Sequence, residues 1–194
     1  AVKAGQLVAT VKIIPFAVAR AHLDAGIAIA RDGGALLQVA AYRPRPIALI
    51  QTELPNLKPS VLEKTVAILN ARLATLGNPP AADLRCRHDT TALIAAIARA
   101  QAGGAELILI LGASAITDRR DVIPAAIEAS GGSIAQFGMP VDPGNLLLLG
   151  AIAGRPVVGL PGCARSPKLN GFDWVLQRLL ADLAVSARDI RHMG

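Results

Sequence analysis

The stretch "LILILGASAITDRRDVIPAAIEASGG", residues 107–132, decides the fold. Its continuous apolar run "LILIL", with the two residues before it ("AELILIL", 105–111), reads as a strand buried on both faces. A loop of small residues follows, and a helix is predicted from about Asp121 to Ser130. Pro124 suits that helix because it falls in the first turn, where a missing N–H costs nothing. A strand, a tight loop and a helix make one α/β unit.

The same alternation extends to either side. "IALIQT" (47–52) is a second buried strand. The helix "PSVLEKTVAILNARLATLG" follows, with Ser60 and Glu63 read as a capping box and Gly77 as its stop. Leu62, Val66, Leu69, Leu73 and Leu76 step by four and three along one face. "ADLRCRH" is a weaker strand, and "TTALIAAIARAQAGG" is a helix capped by Asp89 or Thr90. After the central unit, "SIAQFGM", "NLLLLGAIAG" and "RPVVGLPG" predict three short strands. "NGFDWVLQRLLADLA" predicts a final helix with Asn170 as N-cap and Phe172, Val175 or Leu176, Leu179 and Leu183 on its apolar face. Trp174 reads as a packing anchor. This pattern predicts an α/β fold: a three-layer α/β/α arrangement around a mostly parallel sheet.

The first 46 residues read differently. "GQLVATVKII" (5–14) and "ALLQVAAY" (35–42) are predicted strands, and 17–31 is a helix ending at Gly33-Gly34. "RPRP" (43–46) reads as a linker. The expected organisation is a small α+β appendage at 1–46, a main domain at 47–185 and a linker at 186–194. The chain starts at Ala1 and stops at "RHMG" with no closing feature, which reads as a piece of a longer protein.

Composition narrows the function. The 194 residues are 53% hydrophobic and 3% aromatic, so aliphatic side chains build the core and disorder is excluded. A net charge of +6 suits an anionic partner. No dense basic block or aromatic interleaving points to nucleic acid, and no apolar run is long enough for a membrane span. Cys86 and Cys163 form neither a disulfide framework nor a zinc spacing and read as reduced thiols of a cytoplasmic protein. His22, His88 and His192 have no metal spacing.

In a parallel sheet, ligands bind beyond the carboxyl ends of the strands. The loops after 52, 88, 111 and 160 therefore belong together. Gly112, Ala113, Ser114 and Ala115 let backbone N–H groups approach an anion, and the next helix offers its positive end. Ser114 and Thr117 add hydroxyls, and Arg119 and Arg120 add charge suited to phosphate. Asp118 and Asp121 are carboxylates beside this site, where Mg2+ would bridge to phosphate; the alternative for Asp121 is a helix cap. Pro143 and Gly144 mark a tight turn that leaves Asn145 at a strand mouth. Gly159, Pro161 and Gly162 shape a further loop, with Cys163, Arg165, Ser166, Lys168 and Asn170 behind it. No fixed base accompanies Cys163, which argues against a nucleophile.

Taken together, "GASAITDRRDVIP", "MPVDPGN" and "VVGLPG" resemble the molybdopterin-binding superfamily, in order and spacing, over roughly 47–184. Its members include molybdopterin adenylyltransferases, molybdotransferases and competence-damage proteins. The resemblance implies that Gly112–Ala115 line a phosphate site and that Asp121 matches the loop aspartate. Pro143, Gly144, Asn145, Gly162 and Cys163 would line the rest of the cleft, with Thr52 and Glu53 matching the first loop in part. Ala113 stands where the family has a second glycine, the loop is about one residue longer before Asp121, and the family's acidic residue after the second strand falls at His88 or Asp89. Asp89 and Asp121 would then be the catalytic and Mg2+-binding pair.

The implied cofactor is molybdopterin, with Mg2+ and ATP or AMP, in molybdenum cofactor biosynthesis. The expected role is to position it for adenylyl transfer, molybdate insertion or hand-over. The alternatives are a carrier without turnover and a nucleotide-pyrophosphate hydrolase of the competence-damage kind. Along its whole length the chain also resembles a bacterial subgroup in which a nucleotidyltransferase domain, similar to molybdenum cofactor cytidylyltransferases, would follow Gly194. Family members form dimers or trimers, so a homo-oligomer is expected.

Overall fold

A computed structural model describes every residue except Ala1, Ile13 and 34–36. The chain divides into two compact units, 1–41 and 42–194.

The first unit carries one helix, α1 (Arg20–Asp32), none of whose side chains is buried. No described residue in 5–14 or 37–42 is in a strand, which corrects the expected α+β appendage. Ile13, Ala35 and Leu36, which fall within the predicted strands, and Gly34, in the predicted helix stop, lie outside the described residues. Strand propensity at Val8, Val11 and Ile14 needs a ladder partner and a buried face, and all three side chains are exposed.

The second unit is a six-stranded sheet in the order β2-β1-β3-β6-β5-β4. Its strands are β1 (Ile47–Glu53), β2 (Ala82–Arg87), β3 (Leu107–Leu111), β4 (Ser133–Phe137), β5 (Leu148–Ile152) and β6 (Arg155–Leu160). The pairs β1–β2, β1–β3 and β3–β6 are parallel, and β5 pairs antiparallel with both β4 and β6. The alternation of strand and helix therefore ends after β4. Ala153 (φ 49°) and Gly154 (φ 75°) form a two-residue turn with both φ values positive, the geometry that closes a tight hairpin between β5 and β6.

Alternation along β1 and β3 divides the core into two layers. Ile47, Leu49, Leu107, Leu109 and Leu111 pack with α2 (Pro59–Thr75) and α5 (Gly171–Leu180). Ala48, Ile50, Ile108 and Ile110 pack with α3 (Thr90–Ala102) and α4 (Val122–Ala129). The unit is thus a three-layer α/β/α sandwich around a mostly parallel sheet, as the sequence pattern predicts. Among the described residues, no helix is long and apolar enough to cross a membrane.

The helix ends carry local corrections. Pro59 opens α2 with Lys58 as N-cap and no side-chain cap, so Ser60 and Glu63 do not form the expected capping box. Proline fixes φ for the first helical position and moves the N-cap two residues earlier, from Ser60 to Lys58. Asn170 does cap α5, in a capping box with Asp173. Leu183 lies beyond α5 and is exposed. Residues 186–194, read as a linker, instead contain α6 (Ala187–Arg191), with a Ser186–Asp189 capping box and Ile190 buried in the core.

Candidate anion-binding site

The parallel register brings four strand ends to one edge. Thr52 lies beside Cys86, Gln51 beside Leu111, and Leu111 beside Leu160. The loops after these strands are joined by hydrogen bonds. Thr52 is buried on β1, and its Oγ1 accepts the Ala113 N–H at 2.8 Å. The same oxygen lies 2.7 Å from His88 Nδ1, and His88 Nε2 lies 2.8 Å from Ser114 Oγ. The Glu53 carbonyl accepts the His88 N–H at 2.9 Å, which fixes the imidazole's backbone. From the β6 side, Arg165 Nη2 donates to the Gly112 carbonyl at 3.1 Å.

Gly112 has a steric reason to be glycine. A Cβ there would sit 2.6 Å from the Ser114 carbonyl oxygen and 3.1 Å from Ile123 Cδ1. Ala113 is not among the residues with positive φ, so its side chain carries no left-handed strain. Ser114 and Ala115 are exposed at the lip of the sheet. Among the described residues, the N–H groups of Ser114, Ala115 and Ile116 meet no acceptor. Successive free N–H groups in a loop are donors available to an anion.

The next turn is held by Asp121. Its Oδ2 accepts the N–H groups of Thr117 (2.7 Å) and Asp118 (2.9 Å) and the Thr117 hydroxyl (3.3 Å). It does not cap its own helix α4. Asp118 Oδ1 accepts the Arg120 N–H at 2.7 Å. Arg119 stands over the Phe137 ring, 5.8 Å from its centroid, rather than over the cradle. Arg120 is exposed.

The N–H groups of Asp118 and Thr117 hold the Asp121 carboxyl below its ordinary range. Because the folded value is depressed, this anchoring is present above the unfolded carboxylate value and is lost as pH falls through the folded one. Acidification below about pH 4 is therefore expected to release the Thr117 and Asp118 amides to hydrogen exchange. Asp121→Asn should remove that pH step; an unchanged step in the variant would show that another group anchors the turn.

Asp89 is the N-cap of α3: its Oδ1 accepts the Ala92 N–H at 2.8 Å, and its Oδ2 pairs with Arg87 Nε at 3.2 Å. Both of its oxygens are thus engaged, as is Asp121 Oδ2. Among the described residues, no group of three His, Cys, Asp or Glu side chains is placed to hold a metal. The expected Mg2+ site on Asp89 and Asp121 does not fit this donor set.

The third loop is built around a residue that motif reading passes over. Arg72 on α2 pairs with Asp173 at 2.8 Å and donates to the carbonyls of Ala164 (2.8 Å) and Lys168 (3.2 Å), and also to that of Ser166. This one guanidinium shapes residues 164–168. Pro161 and Gly162 lead into a 3-10 turn (Gly162–Arg165), and Ser166 Oγ accepts the Lys168 N–H at 3.2 Å. Burial pushes the Cys163 thiol up, away from the reactive thiolate. The Pro143 carbonyl accepts the Gly171 N–H at 2.9 Å, which ties the 142–146 turn to the start of α5. Gly144 (φ 136°) would bring a Cβ within 2.8 Å of Gly171 N, so only glycine fits there. Asn145 is exposed, and its carbonyl accepts the Met139 N–H at 3.0 Å.

Arg165 is half-buried, and burial lowers its guanidinium pKa; its Nε has no partner among the described residues. With Ser60, Val61, Lys64 and Thr65 it lines a cleft of about 400 Å³. Sequence reasoning brought together Thr52, Gly112, Ala113 and Ser114, placed Arg165 in the loop after β6, named His88 only as a possible match to the family's acidic residue, and missed Arg72 and Lys64. The available signal for Arg72 was its position between Leu69 and Leu73, both core-facing on α2.

No protein-family model matches the chain, and neither does any curated protein. Among solved structures, it is similar to the molybdopterin biosynthesis protein MoeA from Pyrococcus horikosii, with a TM-score of 0.47 and 22% identity, covering 78% of this chain and 37% of that one. It is also similar to a molybdenum cofactor biosynthesis protein B, with a TM-score of 0.48 and 14% identity, covering 66% of this chain and 87% of that one. The chain thus spans little more than a third of the length of the first.

Proposed function

We propose that the unit 42–194 binds molybdopterin, or its adenylylated form, through the phosphate and positions it for a later step of molybdenum cofactor biosynthesis. The observation that carries this reading is the run of three N–H groups, at Ser114, Ala115 and Ile116, that meet no acceptor among the described residues, beside the exposed Ser114 hydroxyl. Such a cradle suits the oxygens of a phosphate. The motif resemblance of 47–184 supplies the pterin. The largely apolar cleft lined by Ser60, Val61, Lys64, Thr65 and Arg165 carries two cations, one of which, Arg165, reaches Gly112, and its volume lies within the range of small-molecule sites. Pro143, Gly144, Asn145, Pro161, Gly162, Cys163 and Ser166 would border the pterin side.

Because three of the four carboxylate oxygens of Asp89 and Asp121 are engaged, no step is assigned to either residue; this chain's contribution is binding and orientation. Adenylyl transfer, molybdate insertion or hand-over would then follow on the positioned cofactor. The test is a calorimetric titration of the whole chain with molybdopterin in EDTA. Saturable one-to-one binding, unchanged when Mg2+ replaces EDTA, is expected. Absence of binding, or binding that needs Mg2+, would overturn the reading.

A further inference from the structure

We infer that His88 fixes Ser114 as an outward hydrogen-bond donor, so that a phosphate oxygen is held directly by the Ser114 hydroxyl rather than through a cation. The inference rests on the anion-site reading above and deepens it. It follows from where the protons must go.

Thr52 is fully buried. Two groups reach its Oγ1: the Ala113 N–H at 2.8 Å, which can only donate, and His88 Nδ1 at 2.7 Å. A buried hydroxyl proton needs an acceptor, and among the described residues His88 Nδ1 is the one in reach. Thr52 therefore donates to Nδ1, and the neutral imidazole carries its proton on Nε2. That Nε2–H faces Ser114 Oγ at 2.8 Å and donates to it.

The Ser114 proton has no acceptor among the described residues, and the side chain is exposed. The chain of bonds thus runs one way, from the Ala113 N–H through Thr52 and His88 to Ser114, and ends in an outward O–H. A nucleophilic serine would need an unprotonated ring nitrogen beside it, which is the opposite arrangement. Here the hydroxyl joins the free N–H groups of Ser114, Ala115 and Ile116 as a fourth donor. A ligand oxygen that only accepts, such as a phosphate oxygen, matches that set. A carboxylate at position 88 would accept the Ser114 proton, turn it inward and add negative charge at the cradle. His88 is accordingly a positioning residue that selects the ligand's charge.

Two readouts on the whole chain test this. Nitrogen-15 long-range correlation spectra at about pH 8.5, two units above the ordinary histidine value, should show His88 as the Nε2–H tautomer; His88→Gln identifies the signal by its loss. Titration with inorganic phosphate in EDTA should shift the Ser114, Ala115 and Ile116 amides. Ser114→Ala should weaken phosphate binding about tenfold, the loss of one good hydrogen bond, and Ser114→Thr should restore it. His88→Gln, which keeps a donor towards Ser114, should stay within about threefold, whereas His88→Asp should lose at least as much as Ser114→Ala.

An Nδ1–H tautomer, no phosphate shift in the parent protein, or undiminished phosphate binding by Ser114→Ala would each overturn the inference. If molybdopterin fails to bind while the phosphate series behaves as described, the pterin reading fails and this inference stands. If molybdopterin binds the parent and Ser114→Ala equally well, this inference fails alone.

Discussion

Arg72→Ala is expected to be the most destabilising single change in the 42–194 unit, at about 3–5 kcal/mol. The ion pair it breaks is buried, with side-chain exposures of 9% for Arg72 and 11% for Asp173. Removing the arginine leaves the Asp173 carboxylate without its cation and strands the carbonyls of Ala164, Ser166 and Lys168. Asp173 also closes the capping box of α5, so the loss spreads to the start of that helix. Urea unfolding followed by far-ultraviolet dichroism measures the cost, and a fall in melting temperature on the order of 10 °C is the thermal equivalent. Arg72→Lys should recover only part of it, because an ammonium cannot reproduce the fork geometry. A loss under about 1 kcal/mol would show that the loop holds its shape without the guanidinium.

Gly112→Ala is expected to have the largest effect on binding. The new Cβ would lie 2.6 Å from the Ser114 carbonyl oxygen, a backbone atom that cannot swing aside as a side-chain end can. The loop must shift, and with it the free N–H groups of Ser114, Ala115 and Ile116. Loss of two charge-assisted hydrogen bonds, about 3 kcal/mol, corresponds to about a 100-fold weaker affinity for molybdopterin. Stability should fall by only about 1–3 kcal/mol, the usual cost of overpacking. Calorimetry and urea unfolding on the same variant separate the two effects. An affinity within threefold of the parent would mean that the cradle is not where the phosphate sits.

The parts of this molecule that could be read from sequence are those governed by local pattern. The runs at 47–52, 105–111 and 155–160 announced buried strands, and parallel alternation placed the loops after 52, 88, 111 and 160 on one edge. The Asn170 cap and the role of Gly77 were local as well. The misreadings have separate physical causes. At 5–14 and 35–42, β-propensity without a partner strand did not suffice, at least for the described residues. How the three strands predicted after α4 pair is not legible in the sequence, because the β5–β6 hairpin depends on Ala153 and Gly154 both taking positive φ, and alanine is an uncommon residue for that turn. The Ser186–Asp189 box before Ile190 was a local signal for α6 that was passed over in favour of a linker.

The site shows the same division. Small residues at 112–115 marked the cradle, but its electrostatics depend on contacts distant in sequence. Arg72 meets its partners 92 to 101 residues away, and Thr52 and His88 meet across 36. Asp89 and Asp121 have the residue type of metal ligands, yet a helix cap and a backbone turn occupy them. Residue type and spacing suggest the metal; the hydrogen-bond partners show what holds these two carboxylates in its place.

The most direct test of the central claim is a pair of titrations, molybdopterin and its dephosphorylated pterin, into the same chain in EDTA. If the phosphate supplies the binding through the Gly112–Ile116 loop, molybdopterin should bind and the dephosphorylated pterin should be weaker by about 100-fold. Equal affinities for the two, or no binding of molybdopterin, would contradict it.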